Sequence, residues 1–156
     1  MSTSPELLQP IIGKRPWRVW KGVGSFLLFE FGHQPRGASD RAEKGLYTLW
    51  IYMATWRIHR GSTELAHSES PDAKIAASAE ALQGLTLQSI ILDTVVRPRM
   101  LRYAAKLVFE GQHQVSAYMY DRKKDDPIFM LYTPTHLITY DYDGRVKRKR
   151  MARSKA

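Results

Sequence analysis

Residues 46–58, LYTLWIYMATWRI, form the densest apolar run of the chain and carry two of its four tryptophans, Trp50 and Trp56. Alternation places Tyr47, Leu49, Ile51 and Met53 on one face of a strand and Thr48, Trp50, Tyr52 and Ala54 on the other. Both faces are apolar or aromatic, as for a strand covered on two sides, so the run predicts one central strand. Arg57, His59 and Arg60 return it to the surface, and Gly61-Ser62 turns it into the short segment TELAHS. Before it, residues 33–45, HQPRGASDRAEKG, lack apolar content and period, and read as an exposed loop.

Working outward, SPELLQPIIG predicts a short helix with Ser4 as N-cap and Pro5 at its first position, made irregular by Pro10 and ended by Gly13. Trp17–Trp20 and the segment from Ser25 to Gly32 alternate around Gly22-Val23-Gly24, which predicts a hairpin. On the C-terminal side, Ser70-Pro71-Asp72 supplies a capping hydroxyl, a first-turn proline and an acid at the positive end of the helix dipole. Ile75, Ala79 and Leu82 recur at helical spacing, and Gly84 is the stop. From Leu85 the period becomes that of strands: LTLQSIILDTVV, MLRYAAKLVFE, HQVSAYMYD, IFMLYTP and HLITYDY, separated by turn residues. The expected fold is α+β in a single domain over residues 1–144, a mostly antiparallel sheet system of about eight strands with two helices.

A weak internal echo accompanies this pattern. Leu27-Leu28-Phe29-Glu30 matches Leu107-Val108-Phe109-Glu110 at a shift of 80, and the same shift sets Tyr52 on Tyr132 and Ile58 on Ile138. Gly13 and Gly84, each ending a predicted helix, are 71 apart. Chance resemblance among short apolar strands accounts for the echo as well as repetition does. If it is repetition, it predicts two pseudo-symmetric helix-plus-meander halves, 4–68 and 69–144, in which residues 46–58 and 128–138 are counterparts. Trp50 and Trp56 would then answer to Met130 and His136, and that asymmetry would mark the place to seek function.

The 156 residues include no cysteine, which excludes disulfides, thiolate metal sites and a cysteine nucleophile, and no asparagine, which excludes N-glycosylation. The first sixteen residues have no basic segment followed by an apolar one, and no apolar run reaches the roughly 20 residues of a membrane helix. A cytoplasmic protein that does not enter the membrane is expected. The net charge is +9, and residues 145–156, RVKRKRMARSKA, hold seven cations and no acid, leaving +2 for residues 1–144. This tail reads first as a disordered, solubilising terminus, because charge runs without apolar partners do not pack. Its second reading is a phosphate-tracking arm that uses Arg145, Lys147, Arg148, Lys149 and Arg150.

Motifs with chemistry are few. Gly22-Val23-Gly24 precedes a strand rather than a helix, so it reads as a turn and not as a phosphate loop. Asp141-Tyr142-Asp143-Gly144 begins like a calcium loop, but lacks the later ligands and reads as a turn. The five histidines, His33, His59, His67, His113 and His136, show no metal-ligand spacing, and neither a metal nor a cofactor is expected. Ser25 has no nucleophile-elbow context. Glu30 and Glu110 end apolar strands and would suit general acid/base work only if they faced one another; otherwise each is a solvent-facing strand residue. Tyr118 and Tyr120 share a strand face with Gln112, Gln114 and Ser116, which suits either a recognition surface or a solvated face.

The set Ile-Ile-Gly13, Gly24-Ser25-Phe26-Leu27-Leu28-Phe29-Glu30-Phe31-Gly32, Leu49-Trp50-Ile51-Tyr52, Trp56-Arg57-Ile58 and Leu131-Tyr132-Thr133-Pro134 resembles a family of small uncharacterised bacterial proteins, over roughly residues 6–140. The resemblance implies no activity. In size and plain architecture the chain is also similar to bacterial immunity and antagonist proteins, which act by binding a toxin or effector; this implies a protein partner and no catalysis. Immunity proteins against basic nucleases are usually acidic, so a partner of this basic chain would be acidic or meet another surface. The first expectation is therefore a non-catalytic binding protein using Trp50, Trp56, Tyr118, Tyr120 and the 33–45 loop. The second is a nucleic-acid-associated accessory protein using the basic tail, and the third an enzyme using Glu30 and Glu110.

Overall fold

The computed structural model describes residues 4–33, 45–52, 54–97, 100–119, 127–141 and 143–151. A 3₁₀ helix, Glu6–Ile11, opens the chain, followed by β1 (Pro16–Lys21), β2 (Leu27–His33), β3 (Gly45–Ile51), β4 (Ala54–Arg60) and β5 (Thr63–His67). Then come α1 (Asp72–Leu82), β6 (Leu87–Arg97), β7 (Met100–Phe109), β8 (His113–Met119), β9 (Phe129–Tyr132), β10 (His136–Tyr140) and β11 (Val146–Arg150). All strand pairs are antiparallel, in a six-stranded sheet of order β1-β2-β3-β9-β10-β11 and a five-stranded sheet of order β5-β4-β8-β7-β6. The fold is α+β, with eleven strands where about eight were expected. The three additional strands have separate origins: residues 46–58 make two, TELAH makes one and the tail makes one.

The division of residues 46–58 corrects the single central strand. β3 ends at Ile51 in the six-stranded sheet and β4 begins at Ala54 in the other. The apolar character of both faces therefore has a different cause: β3 and β4 turn different sides of the chain toward one shared interior. Leu49, Ile51, Ala54, Trp56 and Ile58 are all buried there. Residues 46–58 span the two sheets, whereas β9 and β10, within 128–138 and its flanks, form a hairpin in the six-stranded sheet, so the two segments do not match as whole units. Residues 4–68 contribute three strands to the six-stranded sheet and two to the other; the following half contributes β6–β8 to the five-stranded sheet and β9–β11 to the six-stranded one.

The interior is filled from both sheets. Leu27, Phe29 and Phe31 point inward from β2, and Phe29 stacks on Phe109 of β7 across the core with ring centroids 6.0 Å apart. Trp56 is fully buried and its indole N–H donates to the Ser25 carbonyl at 2.6 Å, tying β4 to the β1–β2 turn. α1 packs on β1 and β5, one edge strand of each sheet, with Ile75, Ala79 and Leu82 buried at the helical spacing. Its cap differs from expectation: the Ser70 hydroxyl accepts from the His67 N–H instead, and Pro71 stands at the N-cap. The Ser4 hydroxyl accepts from the Ile90 N–H of β6, so the N-terminal segment covers the far edge of the five-stranded sheet. Between the two helix ends, the Gly13 N–H bonds the Leu87 carbonyl and the Gly84 N–H bonds the Pro16 carbonyl, with both glycines at positive φ.

The tail also departs from expectation, since Val146–Arg150 pairs with β10 as an edge strand rather than starting a disordered terminus at residue 145. Val146 packs on the core, and Lys147 bridges Asp143 at 3.0 Å and Asp141 at 3.3 Å in the preceding turn. The Asp-rich turn thus holds an ammonium of its own chain. Four consecutive cations on an edge strand also oppose pairing with a second sheet edge.

Two outcomes follow from these contacts. Trp56→Phe retains most of the buried area but leaves the Ser25 carbonyl without its donor, and should cost about 1–3 kcal/mol in urea unfolding. Trp56→Ala should cost about 3–5 kcal/mol; a loss below 1 kcal/mol for Trp56→Ala would contradict its place in the core. In the β10–β11 turn, the hydrogen bond from Lys147 holds Asp143 below the usual carboxylate range, and the same bond raises Lys147 above its ordinary value. The contribution of Asp143 is present above the ordinary Asp pKa and is lost as pH falls through its lowered folded value. That of Lys147 is present below the ordinary Lys pKa and is lost as pH rises through its raised one. Protection of the β11 amides, taken as the exchange rate relative to the intrinsic rate at each pH, should therefore fall at both acid and strongly alkaline pH, and Lys147→Ala should flatten that dependence of protection.

Candidate functional site

Because β2, β3, β9 and β10 send one side of their residues into the core, the alternate residues form the outer face of the six-stranded sheet. Register aligns them in two rows. One runs Trp20, Leu28, Trp50, Met130, Thr139, Lys147, and the next Arg18, Glu30, Thr48, Tyr132, Leu137, Lys149. Trp50 lies at the centre, edge-on to Phe26 at 5.3 Å and to Tyr52 at 5.2 Å, and stacked toward Tyr132 at 6.4 Å. Phe26 stacks on Tyr52 at 4.9 Å, and the Arg18 guanidinium lies 4.4 Å over the Trp20 ring. These aromatics are half-buried against one another. The helix contacts described above lie at the sheet edges, not over this face.

Within the rows, three buried polar atoms have no partner among the described residues: Trp20 Nε1, Trp50 Nε1 and Glu30 Oε2. Glu30 is 0% exposed, and its other carboxylate oxygen accepts from the Thr48 hydroxyl. A buried acidic side chain with one hydrogen bond among the described residues is unfavourable for the isolated fold, since an unpaired buried polar group costs about 1–3 kcal/mol or more. Natural structures keep few such groups without a reason.

The residues singled out in the sequence are not gathered at one place. Trp50 is on this face, whereas Trp56 is buried in the core and unavailable to a partner, which corrects its assignment to a binding surface. Alternation from Trp50 to Trp56 would have put both on one strand face; the change of sheet between them sends Trp56 inward. Tyr118 is half-buried on the outer face of the five-stranded sheet, in a shallow pocket of about 310 Å³ that it lines with Gln114, Ser116, Arg57, His59 and Lys106. Tyr120 and most of the 33–45 loop, residues 34–44, lie outside the described residues.

Lys147 and Lys149 belong to the rows of the aromatic face, while Arg148 and Arg150 alternate to the other side of β11. Lys147 is engaged by Asp141 and Asp143, and the Arg145 N–H donates to Asp143; Arg148, Lys149 and Arg150 are exposed. Glu110, which follows β7 of the five-stranded sheet, accepts from the Thr86 N–H, and that hydrogen bond is the main cause of its lowered pKa. Glu30 and Glu110 thus belong to different sheets and hold different partners. Sequence reasoning missed Glu30 as a buried group, with Arg18 and Thr48 as its directly paired neighbours. The available signal was a carboxylate inside the apolar run LLFEF, but alternation alone sends it to solvent.

No family model, no curated protein and no solved structure matches this chain. Among the described residues no helix is long and apolar enough to cross a membrane, and no three His, Asp or Glu side chains gather as a metal site.

The aromatic face carries a direct consequence for stability. Glu30→Gln replaces an unpartnered carboxylate oxygen by an amide that donates as well as accepts, and should change the urea midpoint little or raise it. Glu30→Leu, which removes the buried polar group, should stabilise the free protein by about 1 kcal/mol or more, as apolar replacement of buried charge often does. A loss of more than about 2 kcal/mol on Glu30→Leu would show that the carboxylate is well solvated or well paired in the free protein.

Proposed function

We propose that this chain is a non-catalytic bacterial binding protein, immunity- or antagonist-like, whose contact surface is the outer face of the six-stranded sheet. The observation that carries the reading is the band of half-buried aromatics around Trp50 with the buried Glu30 carboxylate, one oxygen of which has no partner among the described residues, in the row beside it. Large aromatic side chains supply contact area at small entropic cost, and such anchors dominate binding where water is excluded around them. The exposed cations of β11 beside the band favour a protein partner with an apolar centre and an acidic rim.

A second reading is favoured by one observation: Lys149 continues a row of the aromatic face, and stacking platforms beside cations suit single-stranded nucleic acid. The two readings separate cleanly in a binding assay on the purified chain. A protein partner is expected to lose about 30-fold or more in affinity with Trp50→Ala and only about threefold, through slower association, with Arg148, Lys149 and Arg150 all changed to Ser. The nucleic-acid reading expects loss with the triple variant and affinity that falls steeply between low and moderate salt. Recovery of nucleic acid alone, with that salt dependence, would reject the protein-binding proposal.

We further infer that the two halves are related copies. Replacing each element of the first half by its counterpart turns the order β1-β2-β3-β9-β10 into β6-β7-β8-β4-β5, which is the other sheet. The bonds from Gly13 to Leu87 and from Gly84 to Pro16 exchange partners at a shift of 71 in both directions. The register interruptions at Pro16/Arg18 and Leu87/Ser89 fall at the same shift. Pairing Val19 with Phe29 and Ile90 with Leu107 then sets Phe29 on Leu107, 78 residues apart rather than 80. In this relation Leu28, Trp50 and Tyr132 answer to Lys106, Ser116 and His59, so the aromatic face and the polar pocket occupy equivalent places. A crystal structure in which β1–β3 and β6–β8 do not superimpose would remove the relation.

A further inference from the structure

We infer that the pocket on the five-stranded sheet is a second binding site, for the phosphate group of a small phosphorylated molecule. Across the outer face of that sheet, Ser116 of β8 has Arg57 of β4 on one side and Lys106 of β7 on the other as directly paired neighbours. Directly paired Cβ atoms lie about 4.5–5.5 Å apart, so the two long cationic side chains reach over the serine between them from opposite sides. All three line the same pocket, with Gln114 and Tyr118.

The hydrogen-bond inventory points outward. Among the described residues Lys106, which is half-buried, has neither an ion pair nor a hydrogen bond, and the Tyr118 hydroxyl and Gln114 amide are equally without a partner. Arg57 has one loose ion pair, from its Nε to Glu64 at 3.5 Å, between side chains 68% and 43% exposed, which is worth little. The pocket therefore presents two cations and the neutral donors of Gln114, Tyr118 and Ser62 against one acid. Ser116 forms the floor rather than a further donor. His59 Nδ1 lies 3.3 Å from the Gly61 carbonyl and Nε2 lies 3.1 Å from the Ser116 hydroxyl, so the ring already engages Ser116.

Donors arriving from several strands match the three terminal oxygens of a phosphate better than the two of a carboxylate, and arginine and lysine are the residues that recognise phosphate. A volume of about 310 Å³ exceeds one phosphate and lies at the lower end of small-ligand pockets, leaving room for an organic remainder. The site is separate from the aromatic face, which belongs to the other sheet.

The test titrates the full chain with inorganic phosphate, and in parallel with acetate at equal ionic strength, following backbone amide shifts. Phosphate should give saturable shifts centred on Arg57, Lys106 and Ser116, and acetate should not. Lys106→Gln and Arg57→Gln should each weaken phosphate about tenfold, as expected for loss of a charge-assisted hydrogen bond. Lys74→Gln, an equal loss of charge on the exposed side of α1, should leave it unchanged. Acetate shifting the same amides with equal affinity, phosphate shifts that do not saturate, or undiminished phosphate binding by both pocket variants would overturn the assignment. None of these readouts depends on Trp50, so the site stands or falls independently of the proposed protein contact.

Discussion

Ile51 and Ala54 are three positions apart and belong to different sheets, and the rest of the molecule depends on that crossing. Because β3 pairs with β9 and β4 pairs with β8, each sheet is completed by strands from the other half of the chain. An open sheet edge or an uncovered apolar face is unfavourable in water, so neither half can close a core of its own. Trp56 makes this concrete. Set on β4, it fills the space between the sheets and donates to the Ser25 carbonyl in the β1–β2 turn, so the first hairpin is fastened to a strand of the opposite sheet. The helices complete the closure at the edges, α1 against β1 and β5 and the N-terminal segment against β6.

With the interior closed by aromatic and branched residues, the two outer faces are released to carry different chemistry. On the six-stranded sheet the row through Trp50 is largely aromatic and apolar, and the row beside it holds the buried Glu30 carboxylate. On the five-stranded sheet the row through Arg57, Ser116 and Lys106 is cationic and hydroxylic. The proposed relation between the halves gives this contrast a simple physical description: one scaffold position, Trp50 in one half and Ser116 in the other, specialised in two directions. Core positions cannot diverge so freely, because a change of even one methylene there is felt throughout the packing.

The basic tail illustrates how local composition and tertiary context compete. A run of Lys and Arg has little to bury, and on composition alone it belongs to a solvated terminus. Three features overrule that here: ladder bonds to β10, the contact of Val146 with the core, and the clamp of Lys147 between Asp141 and Asp143. The clamp also gives the Asp-Tyr-Asp-Gly turn its purpose, since its two carboxylates face the ammonium of Lys147, four residues on from Asp143. The charges then serve the edge they occupy, by discouraging another strand from adding to it.

Much of the fold was legible from period and punctuation alone. The stripe Ile75, Ala79, Leu82, the stop at Gly84, the β1–β2 hairpin around Gly22-Val23-Gly24 and the strands from Leu85 onward follow from local rules, because helical and strand periods and the backbone demands of a turn act over a few residues. The α+β class and its antiparallel character were therefore determined by the sequence. The break between β3 and β4 was not, since a run that is apolar on both faces reads alike whether it is one strand buried twice or two strands turned toward one core. For the same reason Trp50 and Trp56 looked equivalent, and Glu30 looked like an ordinary solvent-facing residue. Which of them is surface, core or buried acid depends on which sheet each strand joins and what lies beside it. That is set by pairing between residues 18 to 82 positions apart, such as Glu30 with Thr48 and Leu49 with Leu131, and only the tertiary structure decided it.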